Sequence, residues 1–297
     1  MQKISLKLSC SKMPQRAINL RRRQSGFTLV EAIMVMTITA VLAAGVAVFL
    51  RKPIDGYIDL NRRSGLSDVA DTAARRISRD LHLALPNSVR TVPSDNHCLE
   101  FLPTIAGGRY RAGIDASGGG NLFNTATPIN SLDFFGGLST SPVAGDLLVV
   151  YNLGIVGADA YNRDNLATIA SVAGNTINFS AAKLFPLNSP ANRFQIVSGA
   201  EQAVFYVCSG NIGIDAAGNG TGSLVRLNAY GINSAEPSTC PVTPSNAAIL
   251  AQNISTCQFS YAAGVTTRGG LVSMRLAITR NNETANLYQD VHINNVP

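Results

Sequence analysis

The sequence predicts an α+β protein: one long N-terminal helix, half of it uniformly apolar and half amphipathic, packed on a mainly antiparallel β head. Three observations predict it. Residues 27–50 form an apolar run of 24 residues with a single charge, Glu31. Residues 54–85 then carry an apolar stripe at three- and four-residue steps on a charged background. Residues 87–297 break into short β-like runs separated by clusters of Gly, Pro, Asn and Ser.

The first element is a basic leader. Lys3, Lys7, Lys12, Arg16, Arg21, Arg22 and Arg23 all precede residue 27, with no acidic residue among them. The net charge of +6 would suggest a partner such as nucleic acid or a membrane surface. Without residues 1–26, however, the chain holds 17 basic and 18 acidic residues, and residues 87–297 hold 10 and 12. The basicity therefore belongs to the leader, and no footprint for nucleic acid remains in the body. A positive run beside an apolar segment stays in the cytoplasm. The composition, 46% hydrophobic and 14% charged with 26 Gly, excludes collagen, a coiled-coil rod and a disordered polyelectrolyte.

As a helix, the apolar run would be about 36 Å long, enough to cross a hydrocarbon core of about 30 Å. It is too long for a secretory signal, whose apolar region is about 7–15 residues. Glu31 fits a plain anchor poorly. An ionisable group in a span costs roughly 2.5–3.5 kcal/mol at the helix centre and less near an end, so it calls for a partner.

The residues around it, Gly26-Phe27-Thr28-Leu29-Val30-Glu31, resemble the GFTLxE processing site of type IV prepilins and type II secretion pseudopilins. The resemblance covers the glycine, the aromatic first mature residue, the glutamate four positions on, the apolar run and the basic leader. It implies a type IV pilin-like fold and cleavage by prepilin peptidase between Gly26 and Phe27 on the cytoplasmic face, with N-methylation of Phe27. Residues 1–26 would be the cleaved leader, 27–50 the transmembrane and filament-core helix, 51–86 its amphipathic half, and 87–297 a periplasmic β-rich head. It also implies that the Glu31 carboxylate pairs with the α-amine of a neighbouring subunit, offsetting two burial costs at once. The implied partners are prepilin peptidase, other minor pilins, the major pilin and the inner-membrane assembly platform. The chain would be inserted once in the inner membrane before entering a pilus or pseudopilus.

After Leu50, Arg51 and Lys52 mark the membrane exit and Pro53 suggests a kink. Ile54, Ile58, Leu66, Val69, Ala73, Ile77, Leu81 and Leu85 form the stripe, and Pro86-Asn87-Ser88 ends the helix. Arg75, Arg76 and Arg79 could suggest a phosphate site, but Asp71 and Asp80 stand at i,i+4 spacing from Arg75 and Arg76, which reads as a solvated face. In the head, strands are expected at 99–102, 147–151, 167–171, 176–179, 194–197, 203–208, 224–229, 254–261, 271–278 and 286–293. A hairpin turn is expected across 171–176.

Residues that could carry chemistry are scattered. His82, His97 and His292 show no metal-ligand spacing, and no catalytic or nucleotide-binding motif is present. Gly218-Asn219-Gly220-Thr221-Gly222 reads as a hairpin loop. Asp215 with Asn219, and Asp159 with Asn162 and Asp164, lack the carboxylate spacing of a calcium loop. The expectation is no enzyme, no cofactor and no metal. Cys10 leaves with the leader, so four cysteines remain for a periplasmic head, where disulfides persist. Three pairings are possible. We favour Cys208–Cys240, which would staple the irregular stretch after Tyr230, with Cys98–Cys257 as its complement.

Within the family, the run of elements from 203–207 through 223–227 and 249–261 to a final strand pair is similar to J-type minor pseudopilins. Residues 53–57, 96–101, 107–111 and 291–297 look closer to the O-type minor pilins of mannose-sensitive haemagglutinin (MSHA) pili. The resemblance implies a structural subunit of the tip or initiation complex. Tip subunits of the K type lack the glutamate that this chain retains, so a subunit should sit above it as well as below. A secretion pseudopilin is the nearest alternative. A glycan-binding adhesin and a membrane-anchored hydrolase are less well supported, because the long polar loops contain no Trp and no catalytic constellation exists.

Overall fold

The computed structural model describes residues 26–264 and 269–297, and the chain divides into two units, Met1–Tyr57 and Ile58–Pro297. The expected leader, including Cys10, lies outside the described residues, as do the side chains of Arg51 and Lys52. A single helix, α1 (Leu29–His82), contributes residues 29–57 to the first unit and 58–82 to the second.

In the first unit, the 22 residues Leu29–Leu50 of α1 are long and apolar enough to cross a membrane, with Glu31 their one charge. None of that span is buried by the described residues. Its hydroxyls are turned inward: Thr37 Oγ1 donates to the Met34 carbonyl at 2.9 Å and Thr39 Oγ1 to the Val35 carbonyl at 2.7 Å. A hydroxyl satisfied by its own helix can sit in an apolar medium without an unpaired donor.

In the second unit the stripe works as a core face, with corrections. Leu66, Ala70, Ala73, Ala74, Ile77 and Leu81 are buried, whereas Ile58 and Val69 are 40% and 42% exposed. Ile54, in the first unit, is also exposed. The helix stops at His82 rather than near Leu85, because Ala84 bridges to Pro103 and the Leu85 amide donates to the Leu102 carbonyl at 2.7 Å. The chain is thereby drawn into the sheet one turn before Pro86.

The strands are β1 (Arg90–Val92), β2 (Asp95–Phe101), β3 (Thr104–Tyr110), β4 (Ile129–Phe135), β5 (Leu147–Val149), β6 (Leu166–Ala173), β7 (Thr176–Lys183), β8 (Arg193–Val197), β9 (Val204–Ser209), β10 (Gly222–Leu227), β11 (Ala248–Ala262), β12 (Gly270–Arg280) and β13 (Glu283–Ile293). All ten expected strands are present, together with β1, β3 and β4. They form two bodies. One is a seven-stranded sheet of order β1-β2-β9-β10-β11-β12-β13, and the other is a closed barrel, β3-β4-β7-β6-β5-β8. Every pairing among the described strands is antiparallel.

The sheet packs its inner face on α1, with Leu99, Phe101, Val204, Tyr206, Ile254, Phe259, Met274 and Ile278 meeting Ala73, Ile77 and Leu81 in one buried cluster. The barrel is filled by Tyr110, Phe123, Phe134, Phe179, Phe185 and Phe194. Its β6–β7 hairpin turns through Gly174-Asn175 with Ala173 opposite Thr176, as the sequence predicts. Gly174 sits at φ +60, a backbone shape that glycine adopts without steric cost. The 218–222 loop connects β9 to β10. A Cβ at Gly220 would strike the Asn253 backbone, which explains the glycine there.

If Ile77 is a core residue and Val69 is not, Ile77→Ala should lower unfolding stability by about 2–5 kcal/mol. Val69→Ala should stay within about 0.5 kcal/mol of the parent in the same urea titration.

Candidate processing and assembly site

Gly26, Phe27 and Thr28 are non-helical and exposed, and Phe27 is 79% accessible. The Gly26–Phe27 peptide therefore lies outside the helix and is open to an approaching peptidase. Helix α1 begins one residue after Thr28, whose side chain caps it: the Glu31 amide donates to Thr28 Oγ1 at 3.3 Å, and the Ala32 amide donates to the Thr28 carbonyl at 3.1 Å. Thr28 and Glu31 hold the N-cap and N3 positions of a T-x-x-E capping sequence, a signal in the residues that the motif resemblance alone does not use. Glu31 is the acidic residue of the first turn, where the helix dipole favours a carboxylate, and it is exposed. Gly26, Phe27 and Glu31 thus come together at one helix end, beside a span that none of the described residues buries.

The other sequence candidates do not converge. His82 ends α1, His97 lies in β2 next to Asp95 (Nδ1 to Oδ1 2.6 Å), and His292 lies in β13. Among the described residues no group of three His, Cys, Asp or Glu side chains is placed to hold a metal ion. Asp215 spends its Oδ1 on the amides of Ala217 and Asn219, and Asp159 spends its Oδ1 on the amide of Tyr161. Both are loop-shaping carboxylates.

The cysteine pairing is corrected. Cys98 bonds Cys240 and Cys208 bonds Cys257, with Cα–Cα distances of 5.7 and 6.2 Å, in place of Cys208–Cys240 and Cys98–Cys257. Strand alternation gives the reason. Cys98 stands opposite Val207 and shares its face, so the next residue, Cys208, points to the other side of the sheet. Cys98 and Val207 cluster with Cys240 on the outer side, and Cys208 clusters with Cys257 on the side facing α1.

The Asp80–Arg76 pair is also corrected. Arg75 does pair with Asp71 at 2.7 Å. Asp80 instead accepts from Tyr206 OH at 2.6 Å and from Arg226 Nε at 3.0 Å. Arg226 then binds Glu201 with both terminal nitrogens, at 3.0 and 3.2 Å. Burial works against the Arg226 charge, but Glu201, together with Tyr206 and Asp80, more than offsets it and holds the guanidinium above its usual value. The same hydrogen bond from Arg226 holds the Glu201 carboxyl below its usual value. Across the sheet, Glu100, which is fully buried, accepts from Arg90 Nε at 2.5 Å and from Tyr230 OH at 2.8 Å. Burial first, then Glu100, pushes the Tyr230 phenol up. Sequence reasoning missed both networks, since their partners lie 25 to 146 positions apart, except the Arg90–Glu100 pair at 10. These groups tie strands and helix together.

Residues 21–47 match the family described as the prokaryotic N-terminal methylation motif. The match spans Gly26, Phe27 and Glu31 and supports a type IV pilin-like protein. The motif marks a structural substrate of the prepilin machinery rather than an enzyme, and it implies processing by prepilin peptidase and assembly with other pilins. The apolar span fits membrane anchoring of such a protein. No curated protein and no solved structure matches the chain.

Because the folded Glu201 value is depressed, its pairing contributes above the ordinary carboxylate range and is lost as pH falls through the folded value. Glu201→Gln should therefore be less stable than the parent at about pH 7, and the difference should shrink toward about pH 3 in denaturation curves taken across that range.

Proposed function

We propose that the chain is a minor pilin of the tip or initiation complex needed to build an MSHA-like type IV pilus. One observation carries the reading: an exposed Gly26–Phe27 bond lies directly before a capped, lipid-compatible helix that bears Glu31 in its first turn. Prepilin peptidase cuts that bond at the cytoplasmic face, and Phe27 is N-methylated. The freed amine leaves a positive charge at the membrane boundary. In the assembly, the Glu31 carboxylate meets the corresponding amine of a neighbouring subunit, so that neither charge is desolvated alone. The leader remains cytoplasmic and the head is periplasmic, an oxidising compartment that suits two cystine bridges.

A head of two β bodies supports a minor over a major subunit, because shaft subunits need compact heads to tile. The MSHA assignment rests on the short sequence patches in the head and near Pro53. A J-type role in a type II secretion pseudopilus is the second reading, favoured by the Arg226-bearing β9–β10 hairpin ahead of β11.

Intact-mass analysis of the purified protein should give a chain beginning at methylated Phe27. Gly26→Leu should retain the leader. Glu31→Ala should be processed normally yet enter pili at a small fraction of the parental amount on immunoblots of sheared filaments. Normal assembly of processed Glu31→Ala would overturn the pairing. Loss of piliation on gene deletion supports the pilus reading, whereas loss of secretion alone supports the pseudopilus.

A further inference from the structure

A cleft of about 470 Å³ lies where barrel residues such as Arg193 and Tyr151 meet Asn87 and the chain's last residues. The volume falls in the range of small-molecule sites, about 300–1,000 Å³. Arg193 lines it together with Asn87, Tyr151, Leu153, Asn295 and Pro297. Three features set it apart from an ordinary surface crease.

The first is an arginine pair. Arg193 on β8 stands directly opposite Arg109 on β3. Their neighbours Phe194 and Tyr110 fill the barrel, so alternation turns both arginines outward. Opposed side chains on adjacent strands start about 4.5–5.5 Å apart at Cβ, and like charges so placed destabilise a sheet. Among the described residues neither guanidinium has a carboxylate within ion-pair distance. The second feature is backbone strain. Asn87 and Tyr151 both have left-handed φ, 56 and 53. Asparagine tolerates this shape, but a bulky aromatic does so only when its surroundings over-determine it. The third is rigidity. Asn87 Nδ2 donates to the Asn152 and Asn295 carbonyls, the Asn87 amide donates to Asn295 Oδ1, and Asn295 Nδ2 donates to Tyr261 OH. Gly154 packs so tightly on the Asn87 carbonyl that a Cβ there would approach it to 2.9 Å. The wall is therefore built before any ligand arrives.

We propose that this cleft binds a carboxylate-bearing sugar residue, a uronate or a sialate, with Arg193 at its wall and Arg109 on the adjoining strand receiving the carboxylate. Two arginines at opposed positions on adjacent strands can both reach a planar carboxylate, to which arginine bonds in a bidentate fashion. Tyr151, Leu153 and Pro297 offer apolar surface for the C–H face of a pyranose, and the amide-rich side faces its hydroxyls. A bare inorganic anion would leave that apolar wall unused. The inference does not depend on the pilus assignment, since it concerns a cleft of the head alone.

The test is isothermal titration of the full-length protein in detergent micelles with four probes: methyl β-D-glucuronide, N-acetylneuraminic acid, methyl β-D-glucoside and acetate. At least one acidic sugar should bind. Arg193→Gln and Arg109→Gln should each weaken it about tenfold or more, while Arg275→Gln, on an exposed site of the other sheet, leaves it unchanged. Tyr151→Ala should weaken the sugar but leave any acetate affinity unchanged. Glucoside binding as tight as glucuronide would overturn the proposal, and so would acetate binding as tight as the acidic sugars. No binding of either acidic sugar, or full retention in Arg193→Gln with native circular dichroism, would overturn it as well.

Discussion

The face of α1 made by Leu66, Ala70, Ala73, Ala74, Ile77 and Leu81 is the constraint on which the head depends. Three alanines on one side let the sheet approach the helix backbone closely, and the larger side chains at each end lock the position. The inner residues of β2, β9, β11, β12 and β13 all close on that one surface. Polar groups then fix its rotation: Asp80 reaches Tyr206 and Arg226, Gln289 Nε2 reaches Ser78 Oγ at 2.9 Å, and Arg63 reaches Glu283 at 2.8 Å. The largely buried Asp80–Tyr206–Arg226 network is a weak source of net stability but costly to break, whereas the exposed Arg63–Glu283 pair contributes little. These polar contacts serve to hold one packing among several that the apolar surfaces alone would permit.

The same helix obeys opposite rules in its other half. There the apolar side chains find no protein partner, and threonine hydroxyls are folded back onto the helix. One continuous element therefore belongs to two solvents, with Thr28 and Glu31 organising its first turn.

Local patterns were readable in the residues, and long-range closure was not. Ten strands announce themselves by alternating or continuous apolar runs. β3 and β4 do not, because Gly107, Gly108 and Asp133 interrupt them, and β1 is only three residues long. Their strand character comes from partners far along the chain, such as Thr104 opposite Val197. Nothing periodic reveals that β8 meets β3, so barrel closure is invisible in the sequence. The cysteines make the same point. Which sulfur meets which depends on strand register, and a single step between Val207 and Cys208 reverses the face. The site at the N-terminus was legible because it is local: cleavage-type glycine, aromatic residue, cap and carboxylate lie within six consecutive positions.

The barrel leaves the sheet after Phe101 at the end of β2 and returns at Val204 at the start of β9, and these two residues face each other in the sheet. Its two attachment points are thus neighbours, as in a domain inserted through closely spaced ends. The sheet and helix need only that doorway to stay shut. Whatever is housed beyond it can be enlarged, trimmed or exchanged over evolutionary time while the helix-packed sheet keeps its shape. The molecule separates the surface that grips the helix from the surface that the barrel carries.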